Sequence, residues 1–195
     1  MIAGIILAAG KSERMGRLKP LLPFAGTTFL EHLYRLLERS SLGAVRVVLG
    51  YQAGRILGEI KLPPEVVVIN SEYEKGMLSS VHSGLASLQE LEPEAVMLFP
   101  VDHPNISLSL IERMISEFSS AHGEIIIPVH NRRRGHPVLF SSSLFQELMH
   151  APLKEGARHV VRKFPNRVLE IETDEPGILQ DIDTPEDFRS LPGKP

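Results

Sequence analysis

The residues best suited to chemistry gather near the start of the chain. The run Gly10-Lys11-Ser12-Glu13-Arg14-Met15-Gly16-Arg17-Leu18-Lys19-Pro20 follows directly on the apolar stretch Ile5–Ala9. Ala8, Ala9 and Gly10 carry almost no side chain, so a flat or charged ligand could approach the backbone closely. Loop N–H groups can point at anionic oxygens, and Arg14 and Lys19 add positive charge. That combination suits phosphate, although a Gly-rich surface turn with solvated charges would look similar. The loop is not a Walker loop, because Gly16 is followed by Arg17 and Lys19 by Pro20. It also lacks the G-x-G-x-x-G spacing of a dinucleotide fingerprint. Pro20 and Pro23 stop it from running into a helix. A ligand would therefore lie across an irregular loop.

The elements that must position this loop follow an alternating pattern. β-Branched apolar runs at 2–7, 44–49, 66–70, 95–100 and 124–128 suit strands buried on both faces of a parallel sheet. Helical periodicity lies between them. Phe29, Leu30, Leu33, Leu36 and Leu37 form one stripe, with Thr28 and Glu31 as a capping box. Further helices are expected around Ile56–Ile60, over Met77–Leu91, and over Ser107–Phe118 with Ser107 as cap. After His122 the rhythm changes, with strands at 138–140 and 168–172 and helices at 143–149 and 156–164. Pro165 closes the last of these. Such alternation predicts a layered α/β domain. Residues 1–195 are expected to form one domain, with 1–122 holding a nucleotide and 123–195 adding a mixed, partly antiparallel region. Pro192–Pro195 is an expected frayed end.

In a parallel sheet, ligands bind beyond the carboxyl ends of the strands. Asp102 follows the strand at 95–100, so it is expected on the same rim as Gly10. It could face a Mg²⁺ ion bound to phosphates or simply serve as a turn residue before Pro104. Asp183 could be a second metal carboxylate or a helix-capping one. Asp181 ranks below Asp183 as a candidate. Asn70 ends the third strand on that rim. Ser79 and Ser80 follow at a helix start, where they could hold a ligand or cap the helix. Arg132-Arg133-Arg134-Gly135-His136 is the one concentrated basic patch, a phosphate clamp or a solvated hairpin tip.

The full string Leu7-Ala8-Ala9-Gly10-x-Ser12-x-Arg14-Met15-Gly16-x-x-Lys19-Pro20-Leu21-Leu22 resembles the signature of the molybdenum cofactor nucleotidyltransferases. Within them it is most similar to the cytidylyltransferases. Three later segments agree: Pro100-Val101-Asp102-His103-Pro104, Gly135-His136-Pro137-Val138-Leu139-Phe140, and Asp181-Ile182-Asp183-Thr184-Pro185-Glu186-Asp187. The resemblance implies a three-layer, Rossmann-like nucleotidyltransferase fold with a mostly parallel central sheet. It implies that Leu7, Ala8, Ala9, Gly10, Ser12, Asn70, Ser79 and Ser80 meet the nucleotide. Arg14, Lys19 and Asp102 would be catalytic, with magnesium on Asp102 and Asp183. Arg134 and His136 would meet the acceptor, His136 as a pocket-lining group and not as a base.

The implied reaction moves CMP from CTP to the terminal phosphate of molybdopterin and releases pyrophosphate. A molybdoenzyme apoprotein would be the downstream partner. Ala9 favours cytidylyl over guanylyl transfer, because guanylyl relatives usually have Gly there and a methyl group narrows the space for a purine. Transfer to another phosphorylated acceptor, and a non-catalytic cofactor carrier, are the competing readings.

Composition bounds these choices. A net charge of −3 provides no basic field for nucleic acid or anionic membrane. Cysteine is absent, which removes disulfides, thiolate metal sites and a cysteine nucleophile. No apolar run is long enough to span a bilayer. The first apolar stretch reads as a strand, not a signal peptide, and a cytoplasmic protein is expected. The eight histidines show no H-E-x-x-H spacing.

Overall fold

The structure, a computed structural model, describes residues 1–120 and 123–191. The expected frayed end at Pro192–Pro195 lies outside these residues, as does His122. The elements in chain order are β1 (Ile2–Ala8), β2 (Pro23–Phe24), β3 (Thr27–Thr28), α1 (Phe29–Glu38), β4 (Ala44–Leu49), α2 (Ala53–Glu59) and β5 (Val67–Ile69). Next come α3 (Met77–Ala86), β6 (Ala95–Pro100), α4 (Leu108–Ser120), β7 (Ile125–His130), β8 (Arg133–Arg134) and β9 (Val138–Ser141). The chain continues with α5 (Phe145–His150), α6 (Arg158–Lys163), β10 (Val168–Glu172) and α7 (Pro185–Ser190).

The main sheet runs β10-β7-β9-β6-β1-β4-β5, with β8 beside β7. β1 pairs in parallel with β4 and β6, β4 with β5, and β10 with β7. β9 is antiparallel to both β6 and β7. This is the expected mostly parallel sheet with a mixed region contributed by the second half of the chain. β1 lies inside the sheet and is buried along its whole length. Its side chains alternate between the two faces. Ile2, Ile6 and Ala8 join a core with Leu33 and Leu37 of α1 and Ile111 and Met114 of α4. Ala3, Ile5 and Leu7 join a second core with Val81 of α3, Leu148 of α5 and Val160 of α6. The result is three layers, helices on both sides of one sheet.

Local chemistry sets most boundaries. Thr28 Oγ1 accepts the Glu31 N–H and so caps α1, while Ser107 Oγ accepts the Leu110 N–H in the first turn of α4. Thr184 and Asp187 form a complete capping box on α7. Three expectations shift. The helix expected over Met77–Leu91 ends at Ala86, followed by a single 3₁₀ turn at Gln89–Leu91. Glu92 is left-handed there, and Pro93 after it excludes a right-handed helical residue. The helix expected at 143–149 begins as a 3₁₀ turn at Ser142–Leu144 before α5. Pro20 sits inside one 3₁₀ turn, Lys19–Leu21, so the prolines allow a single turn but no α-helix.

Two glycines fasten the second half against the sheet rim. A Cβ on Gly135 would collide with the Ile178 carbonyl, and one on Gly177 with the Asn105 carbonyl. The His136 N–H donates to Ile178 O at 2.9 Å across this contact. Neither neighbour is a flexible side-chain tip, so the backbone itself must move. Gly177→Ala is therefore expected to cost about 3 kcal/mol, within the range for overpacking, and to lower Tm by roughly 10 °C. Thermal unfolding checks this; an unchanged Tm would show that the backbone at Gly177 and Asn105 yields freely.

Candidate active site

The carboxyl ends of β1 and β6 meet because their registers bring Leu7 opposite Pro100. The Val101 N–H then donates to Leu7 O at 3.1 Å, and the chain turns outward at Asp102. Across the gap, the Ile182 N–H donates to Asp102 O at 2.9 Å. This bond carries Asp183 to the same rim. Asp181 on the other side of Ile182 is exposed.

Lys19 joins the two carboxylates. Its Nζ donates to Asp102 Oδ2 at 2.9 Å and to Asp183 Oδ1 in a shorter contact. Arg14 reaches the other oxygen of Asp183 at 2.6 Å. Lys19 is only 8% exposed, an unusual burial for a lysine. Burial, the largest single influence, pulls its pKa down, but Asp102 and Asp183 together hold it above the ordinary lysine value. Burial likewise acts to raise Asp183, and Lys19 and Arg14 outweigh it, leaving the carboxyl below its usual range. Lys19 and Asp183 are thus both held in their charged forms at neutral pH.

The glycine loop completes the rim. Ser12 is left-handed, and its carbonyl accepts the Met15 and Gly16 N–H groups. Its hydroxyl accepts the Lys19 N–H at 3.2 Å. The N–H groups of Gly10, Lys11, Ser12 and Glu13 find no acceptor among the described residues. A row of free amides beside a buried lysine is an anion-binding concavity. Beside it opens a cavity of about 220 Å³, bounded by Ala8, Ala9, Gly10, Lys19, Ser80 and Asp102. Lys11 pairs with Glu74 at 2.7 Å and ties the loop to the turn before α3.

A second cavity of about 290 Å³ adjoins the first, sharing Leu7, Met77 and Pro100 with it. Its floor is apolar, with Val81, Ile127, Val138, Phe140 and Val161. His136, Arg134, Arg158 and Arg162 supply its polar groups. Arg134 lies on β8, in the expected hairpin, and its Nε donates to Glu170 at 2.6 Å. His136 precedes a cis proline, and its ring lies 4.7 Å from that of His103. Neither Nδ1 has a partner among the described residues.

The structure thus brings Leu7, Ala8, Ala9, Gly10, Ser12, Lys19, Ser80 and Asp102 around one cavity, with Asp183 attached through Lys19 and Arg14 through Asp183. It does not bring Asn70 and Ser79 there. Both are buried behind Ser80, and their polar atoms are spent on protein partners. Nor does either serine cap α3, whose N-cap is Gly76. Asp183 does not cap α7, because Thr184 does. Sequence reasoning missed Tyr73 on the first cavity and Arg162 on the second, and it reads Arg158 as no more than part of a helix start. The i, i+4 spacing of those arginines, which puts them on one helix face, was a readable signal.

Residues 4–168 match the model of the MobA-like NTP transferase domain. The chain belongs to that family. It is 30% identical over 186 residues to the molybdenum cofactor cytidylyltransferase of Escherichia coli K12, covering 94% of this chain and 92% of that one. It is 29% identical over 197 residues to the nicotine blue oxidoreductase of Paenarthrobacter nicotinovorans, covering 97% and 96%. Among solved structures, Rv0371c of Mycobacterium tuberculosis H37Rv superposes with a TM-score of 0.84 at 27% identity, covering 97% and 96%. This MobA-like chain is accordingly a nucleotidyltransferase by family. No helix among its described residues is long and apolar enough to cross a membrane.

The two histidines give the site a pH signature. Burial, followed by the neighbouring His103, pushes the His136 pKa down to about 4 from 6.5. The unfolded chain therefore binds this proton more readily than the folded one. The contribution to stability is complete above pH 6.5 and is lost progressively as pH falls towards 4. Melting measured across that window should show a decline that His136→Gln flattens. An identical decline in the variant would assign it to other groups.

Proposed function

We propose that this protein transfers CMP from CTP to the terminal phosphate of a molybdopterin-type acceptor. The observation that carries the reading is Lys19, buried between Asp102 and Asp183 beside glycine-loop amides that are unpaired among the described residues. An acceptor phosphate oxygen forms a bond to the α-phosphorus. The bond from that phosphorus to the bridging oxygen breaks, and pyrophosphate leaves in line with the electron pair. The nucleophile is already ionised, so no general base is needed. The loop amides and Lys19 neutralise charge on the phosphates, and Arg14 stands ready to do the same from the rim. Positioning and charge stabilisation supply most of the rate.

The donor set suits a magnesium ion. Two carboxylates converge on one ammonium, and no group of three or more His, Cys, Asp or Glu among the described residues forms a complete metal cage. Magnesium takes one or two carboxylates and completes its shell with phosphates and water. Asp102 and Asp183 would hold it, and when bound it acts as a Lewis acid on phosphate oxygens.

The second cavity supports the acceptor half of the reading. An apolar floor beneath Arg134, Arg158 and Arg162 matches a flat body with anionic substituents. His136, neutral at physiological pH, lines the wall as a hydrogen-bonding group. Ala9 lines the first cavity, where its methyl group favours a pyrimidine over guanine. The oxidoreductase relative is nearly as similar to this chain as the cytidylyltransferase, so overall similarity does not choose the reaction. The cation and carboxylate cluster supports nucleotidyl transfer, because a carrier or a hydride-transfer enzyme has no use for a leaving-group site.

Pyrophosphate release with CTP, GTP and UTP, with and without molybdenum cofactor, tests the proposal. Release is expected with CTP and acceptor together; release without acceptor, or none with any nucleotide, would refute it. Asp102→Ala and Lys19→Ala should each lower turnover by about 10²–10³, the usual worth of one transition-state contact. An Asp102→Ala variant with near-normal rates would remove that carboxylate from the chemistry. Ala9→Gly should broaden use towards GTP, and unchanged discrimination would locate base selection elsewhere.

A further inference from the structure

Lys19 is the one buried lysine among the described residues. Its ammonium fills the gap between two carboxylates, bonded to Asp102 Oδ2 at 2.9 Å and to Asp183 Oδ1. The carboxylates are fixed from elsewhere. Arg14 holds the outer oxygen of Asp183 at 2.6 Å, and the Ile182 N–H holds the Asp102 carbonyl at 2.9 Å. The Lys19 backbone is held too, by the Ser12 hydroxyl on its N–H and by its own 3₁₀ turn. The part left free to move is the Lys19 side chain, a flexible stem ending in one charge.

Magnesium draws carboxylate oxygens to about 2.1 Å, whereas an ammonium needs hydrogen-bond distance from the same two. One gap cannot hold both cations. Nor can the gap go without one, because two facing carboxylates repel each other. An ion that reaches this rim by itself must displace the ammonium, which forfeits two charge-assisted bonds. Lys19 also borders the first cavity, beside the loop amides of Gly10, Lys11, Ser12 and Glu13. Phosphate oxygens held there would offer the ammonium a second set of anionic partners.

We propose that the Lys19 ammonium is a built-in stand-in for the divalent ion, so that the carboxylate pair takes up metal only when a triphosphate draws the ammonium aside. This rests on the reading of the rim as a magnesium and nucleoside triphosphate site. Lys19 then balances Asp102 and Asp183 in one arrangement and the phosphates in the other. The rim stays charge-balanced in both, and a free ion gains little by binding alone. By linkage, the factor by which the triphosphate tightens metal binding is the factor by which metal tightens triphosphate binding.

The test is Mn²⁺ binding without nucleotide, read from the electron spin resonance of the free ion, in wild type and Lys19→Ala. The variant should bind Mn²⁺ roughly tenfold or more tightly than wild type does, the worth of one hydrogen bond to a charged group. Methylammonium, which fits the space the side chain leaves, should compete with Mn²⁺ in the variant. Tetramethylammonium at the same ionic strength is too large for that space and should not compete. In wild type, the ¹⁵N signal of the buried ammonium should shift when CTP is added with a chelator present, and stay in place with Mg²⁺ alone.

Wild type that binds Mn²⁺ as tightly as Lys19→Ala would overturn the proposal, because the metal would then not need the ammonium's place. Equal effects of the two ammonium salts would overturn it too, since loss of long-range charge alone would account for the tighter variant. The wild-type signal decides even if Lys19→Ala fails to fold: a shift with Mg²⁺ alone, or none with CTP bound, sinks the idea. Wild type that binds no CTP even with magnesium would refute the nucleotide reading itself, a result distinct from binding that leaves the ammonium where it is.

Discussion

The site depends on one buried ammonium. Lys19 sits where residues 83 and 164 positions further along the chain come together, and it contacts both of their carboxylates. Removing it would leave Asp102 and Asp183 facing each other with only Arg14 as counter-charge. Two close carboxylates cannot both stay ionised cheaply. The arrangement therefore commits the chain to keeping a cation at that point. An ion pair of this kind is weak evidence of stability, because desolvation offsets much of the attraction. It is better evidence of a requirement imposed by what the rim must bind.

The fold meets that requirement by stiffness. β1 lies inside the sheet and is buried from end to end, so the residues just beyond it cannot drift. Asp102 is tethered on both sides, through the Val101 N–H to β1 and through its own carbonyl to Ile182. Lys19 is held by a one-turn 3₁₀ helix whose N-terminal N–H is received by Ser12. Each charged group thus rests on backbone that is bonded elsewhere. Such preorganisation is what makes fixed charges effective, since no reorganisation is needed when a ligand's charge arrives.

Much of this was legible in the sequence, for identifiable reasons. Parallel strands buried on both faces must be continuously apolar, and β1, β6 and β7 could be read on that ground alone. Once the strands are placed, the rim follows, and with it the company of Gly10 and Asp102. Thr184 could be named as the cap of the helix beginning at Pro185, and it is; Asp183 could be named as a rim carboxylate, but not its bond to Lys19, because residue type does not say which cation stands opposite it. Asn70, Ser79 and Ser80 could be grouped but not ordered in depth. Which of three neighbouring polar residues reaches a cavity depends on helix phase and on the Glu72 turn, and residue type records neither. Arg158 and Arg162 could be put on one helix face by their spacing, but not against a cavity, because the facing wall comes from β7, β9 and Arg134, all distant in sequence.

The two cavities place a constraint on chemistry that neither imposes alone. In-line transfer needs the attacking oxygen and the leaving group on opposite sides of phosphorus. A ligand in each cavity would meet the other only along the seam of Leu7, Met77 and Pro100. The chain carries a net charge of −3, so its overall field does not draw polyanions to that seam. The attraction must be local, and the cations are distributed accordingly. Arg14 and Lys19 stand on the first cavity's side, and Arg134, Arg158 and Arg162 on the second's. His103 and His136 lie between these groups with pKa values lowered by burial, so they add no charge at neutral pH. Cations at both ends and neutral groups in the middle let two polyanions approach one another without competing for the same partner. On the proposed reading the nucleophile is already ionised, so bringing two anions together is the task, and that division of charge serves it.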